Sequence, residues 1–188
     1  MNLTGFKERD ADVAIDRLLI EPLVAAQSIP AGAAALIDVG SGNGSPAIPI
    51  RLAVKSLALV MVESKARKCA FLREAIRVLD LTGASVENAR FEELLARPDL
   101  HETQDVVTAR ALRLESRTLL GLQAFLKPGG RMLLFQTGSK VDPSHVPLPL
   151  EISTTHPLNP DNPSNRLVIL AKRPVRPTGI VPRETIGD

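Results

Sequence analysis

The chain of 188 residues holds one cysteine, Cys69, so no disulfide can form within it, and the composition suits a reducing, cytoplasmic setting. Its three histidines, His101, His145 and His156, show no metal-ligand spacing with that cysteine, and no Ser–His–Asp arrangement fits the chain order; neither a metal site nor acyl-transfer chemistry is expected. No apolar run approaches the ~18 residues needed to cross a bilayer, and Met1 to Asp10 has no signal-peptide core, so no membrane role is expected. Tryptophan and tyrosine are absent, which removes intrinsic fluorescence as a readout of binding. The formal net charge is only +2, so any affinity for nucleic acid has to come from the distribution of charge. What is there is ordinary for one globular domain with one sizeable core: 44% hydrophobic and 23% charged residues.

The most informative stretch runs from Ala34 to Pro49. Ala34-Ala35-Leu36-Ile37-Asp38-Val39 reads as a short buried strand. Gly40, Gly42 and Gly44 follow at alternate positions, then Ser45 and an apolar run, Ala47 to Val54, that can begin a helix. Glycine permits a sharp turn and close approach of a ligand to the backbone, and the next helix would present its positive end to an adenosyl or phosphate group. The spacing is G-x-G-x-G, not the G-x-G-x-x-G of the usual dinucleotide fingerprint, and a glycine-rich turn with no ligand remains open at this point. Pro46 and Pro49 fall in the first helical turn, where a missing N–H costs least.

Ser56 to Val62 forms a second strand-length apolar run ending on Glu63. That glutamate follows the first glycine by close to the ~20 positions at which an acid can accept hydrogen bonds from both ribose hydroxyls. A carboxylate there disfavours a 2′-phosphate, so an NADP-type ligand is not expected. Strand, glycine loop, helix, strand and acid together make a βαβ unit suited to adenosine.

Further marks follow in order: Asn2-Leu3-Thr4, then Glu63 to Leu72, then Asn88-Ala89-Arg90-Phe91-Glu92-Glu93, then Thr108-Ala109-Arg110-Ala111. With the glycine loop they resemble the small-subunit ribosomal RNA guanine-N7 methyltransferase family, also known as the glucose-inhibited division protein B family. The resemblance covers residues 1–173. It implies an α/β fold: a doubly wound, mostly parallel seven-stranded sheet of the Rossmann-like class I methyltransferase kind, with an antiparallel strand pair at its C-terminal end. The implied cofactor is S-adenosyl-L-methionine, and the implied partner is small-subunit ribosomal RNA. Carried onto this chain, Gly40, Gly42, Gly44 and Ser45 would form the cofactor loop, Glu63 would hold the ribose, and Phe91 and Glu92 would lie against the adenine. Arg110 would anchor the methionyl end or the incoming base, and is the candidate catalytic residue.

The chain departs from the family pattern in places. Family members have a longer helical region before Asn2-Leu3-Thr4, carry a histidine and an aspartate where this chain has Arg17 and Ile20, and have lysine-glycine where it has Gln136-Thr137-Gly138, with Ser139-Lys140 as a possible substitute. These differences bear on the substrate side. They keep two rivals open: a methyltransferase acting on a small molecule or protein, and a catalytically silent RNA-binding relative.

The remaining elements complete the expected domain plan: an N-terminal helical segment over residues 1–33, a methyltransferase domain over 34–173 and a disordered basic tail over 174–188. Residues 12–27 have a helical rhythm interrupted by Pro22, giving two short helices or one kinked helix. Residues 65–80 form the most basic helix, with Lys65, Arg67, Lys68, Arg73 and Arg77; it reads either as a phosphate-contacting face or as a solvated face laced with Glu74 and Asp80. Strands are expected over 85–90, 105–109 and 131–135, with a helix from Leu114 to Phe125 stopped by a Lys127-Pro128-Gly129-Gly130 turn. Arg113 and Arg117 could extend a basic rim. Residues 151–155 and 166–171 alternate as an antiparallel pair around a polar loop. Cys69 reads as a core or boundary residue.

Overall fold

Leu36, Ile37 and Val39 have no polar face to offer solvent, and in the computed structural model they lie in β1 (Ala35–Val39), an interior strand of a seven-stranded sheet. Residues 11–112, 115–138, 141–160 and 162–174 are described. On one side of β1 lie β2 (Ala58–Val62) and β3 (Ala84–Glu87); on the other lie β4 (Gln104–Arg110) and β5 (Leu126–Thr137), all parallel. β7 (Asn165–Lys172) then inserts antiparallel between β5 and β6 (Leu150–Pro157), giving the order β3-β2-β1-β4-β5-β7-β6. The strand order reverses between β1 and β4. The carboxyl ends of strands at such a switch point are where open α/β sheets bind ligands.

Alternation along the strands builds two cores. Leu36, Met61, Val106, Leu133, Leu167 and Ile169 face α3 (Ala47–Ala53) and α4 (Ala66–Val78), which contribute Ile48, Ile50 and Leu72. Ile37, Val107, Met132, Leu134, Val168 and Leu170 face the other way, with Leu94 of α5 (Phe91–Leu94) and Leu119, Leu122 and Phe125 of α6 (Ser116–Phe125). Helices thus cover both faces, as the doubly wound fold requires.

Before the sheet come α1 (Ala11–Ile15), a π-helical turn (Asp16–Ile20) and α2 (Glu21–Ala26). The irregularity falls one turn ahead of Pro22, which itself occupies the second position of α2, where its missing N–H is tolerated. The apolar rhythm is only partly buried: Ala25 and Ala26 join the core, while Val13, Ile15, Leu19 and Leu23 remain exposed.

The Lys127-Pro128-Gly129-Gly130 segment lies inside the sheet, not between two elements. Leu126 already pairs with Gln104, and the next pairing is Arg131 with Val106, so the intervening residues bulge from β5. Gly129 sits at φ +82°, and a side chain on Gly130 would come within 2.9 Å of the Asp105 carbonyl oxygen. Close by, the buried ammonium of Lys172 donates to Glu102 Oε1 (2.7 Å) and to the carbonyls of Gln123 (3.1 Å) and Leu126 (2.8 Å), closing the junction of α6 and β5. A lysine at a strand end reads as surface in the sequence; here its full set of acceptors is what permits burial.

Candidate active site

The glycine loop leaves β1 by hydrogen bonds from the Gly40 and Ser41 amides to the Val62 carbonyl (2.9 and 3.0 Å), which pin it against β2. Its four predicted residues do different things. Gly40 lies open on the side where a Cβ would stand and lines a cavity of about 300 Å³. Gly42 donates its N–H to Glu63 Oε2 (3.0 Å). Gly44 is required by its backbone, since a side chain is strained at φ +89°, and a Cβ there would also press on the side-chain ends of Ile48 (Cδ1, 2.5 Å) and Leu72 (Cδ2, 3.3 Å). Ser45 turns away from the cavity and donates its hydroxyl to the Leu18 carbonyl (2.9 Å), fastening the loop to the helical turns that precede the sheet.

Glu63 is buried at the end of β2, where the spacing had placed it. Both its oxygens hold backbone amides: Oε2 that of Gly42, and Oε1 that of Lys65 (2.8 Å). A carboxylate oxygen has two lone pairs, so each can still accept a hydroxyl. Asn88 braces the strand end by donating to the carbonyls of Glu63 and Ser64, both at 3.1 Å, and the fully buried Cys69 thiol donates to the same Glu63 carbonyl (3.0 Å). Phe91 and Glu92 open α5 and also line the cavity with Gly40, Glu63, Arg90 and Leu112. The cavity therefore joins loop glycine, acid, aromatic ring and second acid as the sequence expects.

Arg110 does not line that cavity. It lines a second one, of about 280 Å³, with Arg17, Glu21, Leu112, Phe135 and Gln136; Leu112 is shared between the two. The Arg110 guanidinium lies 4.5 Å above the Phe135 ring, Nη1 donates to the Arg17 carbonyl, and Nη2 stands 3.3 Å from Glu21 Oε2 as an ion pair. Of the positions that depart from the family pattern, Arg17, Gln136 and Thr137 line this cavity and Ile20 is exposed.

Asp38 was not singled out by sequence reasoning, though the signal was present: one acid inside an apolar strand, immediately before the glycines. It is fully buried on the same sheet face as Thr108 and Arg110, and its Oδ1 accepts from Thr108 Oγ1 (2.6 Å). Its Oδ2 has no hydrogen-bond partner, nor has Nε of Arg110, and Nη2 has none beyond its ion pair with Glu21. Burial pushes the Asp38 carboxyl above its ordinary range, opposed by the Thr108 hydrogen bond and by the Arg110 charge. Burial likewise lowers Arg110, opposed chiefly by Glu21 and also by Asp38. Buried polar atoms left without a hydrogen bond cost about 1–3 kcal/mol each, so an acceptor on Asp38 and a donor on Arg110, on one face of neighbouring strands, would be matched by a ligand bearing both signs of charge.

The basic helix is less basic toward the site than its composition suggests. Arg77 pairs with Glu74 (2.6 Å) and Arg73 donates to the Val86 carbonyl (3.3 Å), both away from the glycine loop. Lys65 and Lys68 stand at the start of α4 next to the loop, with Lys68 Nζ 3.6 Å from where a Gly42 Cβ would be. The rim is thus Lys65 and Lys68 with Arg90 and Arg17 in the cavity walls, while Arg117 is exposed on α6. Asn2-Leu3-Thr4, Arg113, Ser139-Lys140 and the chain beyond Pro174 lie outside the described residues. Among the described residues no group of three or more His, Cys, Asp or Glu side chains could hold a metal ion, and no helix is long and apolar enough to cross a membrane.

Comparison with known proteins places this geometry. The solved SAM-dependent methyltransferase from Aquifex aeolicus superposes with a TM-score of 0.63 at 13% identity, covering 91% of this chain and 98% of that one, a likeness of fold. The chain is 38% identical over 133 residues to the ribosomal RNA small subunit methyltransferase G of Chloroflexus aggregans, covering 70% of this chain and 55% of that protein. It is 33% identical over 138 residues to the enzyme of the same name from Leuconostoc mesenteroides, covering 72% and 57%. The chain therefore spans just over half the length of these relatives. Residues 1–145 match the family described as rRNA small subunit methyltransferase G, and the chain belongs to that family.

Proposed function

We propose that this chain binds S-adenosylmethionine across its two cavities and transfers the methyl group to N7 of a guanine in small-subunit ribosomal RNA. One observation carries the cofactor reading: Asp38 Oδ2 and Arg110 Nε, on the same face of the neighbouring strands β1 and β4, are both buried without a hydrogen-bond partner. An amino-acid end supplies what those atoms lack, an ammonium for the carboxylate and a carboxylate for the guanidinium fork. NAD has no such zwitterion. The adenosine would occupy the first cavity, with Glu63 on the ribose hydroxyls and Phe91 and Glu92 beside the base.

When bound, the cofactor supplies a methyl group already activated by the sulfonium. The acceptor N7 lone pair lies in the ring plane and carries no proton, so no base need act on it. This agrees with the second cavity, whose carboxylate, Glu21, is committed to Arg110 and to Asn165. The work left to the protein is alignment and exclusion of water. Arg110 holds the amino-acid end, Leu112 forms the common wall, and Phe135 and Leu158 give the second cavity an apolar lining. Lys65 and Lys68 would meet RNA phosphates at the rim, and the base would enter unstacked from a loop or single strand.

The direct test supplies S-adenosylmethionine labelled in the methyl group, with small-subunit ribosomal RNA offered as naked transcript and as assembled subunit and with large-subunit RNA as control. Label is expected in the small-subunit substrate alone, recovered as 7-methylguanosine on nucleoside digestion. Label in a different nucleoside, or in no RNA at all, overturns the proposal.

A further inference from the structure

We infer that Glu21, braced by Asn165, is the positioning residue that aims Arg110 at the amino-acid end of the cofactor; this rests on the S-adenosylmethionine reading above. Glu21 is the first residue of α2, directly after the π-helical turn, and its side chain is only 4% exposed. A carboxylate is not buried without partners, and both of its partners bear on Arg110. Oε2 makes the ion pair with Arg110 Nη2 at 3.3 Å. Oε1 accepts from Asn165 Nδ2 at 2.6 Å, and Asn165 Oδ1 in turn accepts from Thr137 Oγ1 at 3.0 Å. The second bond fixes the amide orientation, because only the amide nitrogen can donate to a carboxylate.

The chain Thr137, Asn165, Glu21, Arg110 thus runs from the paired ends of β5 and β7, through the first turn of α2, to the end of β4. It holds the guanidinium at one corner, while the Arg17 carbonyl takes another and the Phe135 ring supports the face. Nε is the donor that this clamp leaves without a hydrogen bond. Glu21 also opposes the effect of burial on Arg110. A second bond, from Asn159 Nδ2 to Asp16 Oδ2 (3.1 Å), ties the same helical segment to the loop between β6 and β7, so the helical turns and the strand pair hold the arginine together.

The test compares two ligands by calorimetry. S-adenosylhomocysteine carries the amino-acid end, and 5′-methylthioadenosine shares the adenosine and sulfur but lacks that end. In Glu21→Gln, affinity for S-adenosylhomocysteine is expected to fall by about tenfold or more while affinity for methylthioadenosine stays at the wild-type value. Asn165→Ala leaves the carboxylate in place and is expected to show the same selective loss to a smaller degree, which preserves the test if Glu21→Gln folds poorly. Equal loss for both ligands would assign Glu21 a purely structural role and overturn the inference, as would wild-type affinity for both. Failure of the wild-type protein to bind S-adenosylhomocysteine would instead bring down the cofactor reading on which the inference stands.

Discussion

Arg110→Ala is expected to abolish methyl transfer and to weaken S-adenosylmethionine binding by more than an order of magnitude. Truncating one partner of a buried, hydrogen-bonded charge pair costs about 2–5 kcal/mol, and 1.4 kcal/mol is a factor of ten. Part of that loss would fall on the fold, because Glu21 would be left buried without its cation. Arg110→Lys separates the two effects. It keeps a positive charge near Glu21 and loses the planar fork that can grip a carboxylate with two parallel bonds. The lysine variant is therefore expected to melt close to wild type and still bind the cofactor weakly, measured by denaturation and calorimetry on the same preparation. Undiminished methyl transfer by either variant would remove Arg110 from the site.

Asp38→Asn is expected to separate stability from binding in the opposite way. Burial raises the folded-state pKa of Asp38 above its unfolded value, so ionisation of this group opposes folding. Its contribution to stability is full below the unfolded pKa, about 3.9, and is lost as pH rises through the raised folded value. At neutral pH the wild-type protein carries that cost, and a bound ammonium would offset it. The asparagine variant should therefore show a denaturation midpoint at pH 7 equal to or above that of the ligand-free wild type. Its affinity for S-adenosylmethionine should be lower by about tenfold or more, since one charge-assisted hydrogen bond is worth about 1.5–3 kcal/mol. Melting curves with and without cofactor, taken across the acid to neutral range, check both halves. A variant that loses stability and keeps full affinity would show that Asp38 serves the fold alone.

The parts of this site visible in the sequence are those whose signal is local. Glycines at alternate positions between an apolar strand and a helix, and an acid at the end of the next strand, depend on spacing that the chain itself carries; Gly40, Gly42 and Glu63 meet as expected. What stayed hidden depends on partners far away in the chain. Ser45 looks like a loop ligand until its hydroxyl is found on Leu18, and Arg110 looks like a free cation until Glu21 and the Arg17 carbonyl are found beside it. Asp38 passes as one polar residue in a strand because sequence does not reveal that Oδ2 ends up unmatched. The basic helix shows the same limit: composition counts five cations at Lys65, Arg67, Lys68, Arg73 and Arg77, but Arg73 and Arg77 are engaged by Val86 and Glu74 away from the loop. Proline and glycine at 128–130 mark a break in regular pairing, and whether that break ends a strand or bulges from it is decided by register with β4.

The central claim is that the two cavities form an S-adenosylmethionine site, and titrating that cofactor into the protein by calorimetry, with NAD as control, tests it most directly. Calorimetry suits a chain with no tryptophan or tyrosine. Micromolar binding of S-adenosylmethionine and no binding of NAD is expected. Absence of binding by S-adenosylmethionine, or equal binding of NAD, would contradict that claim.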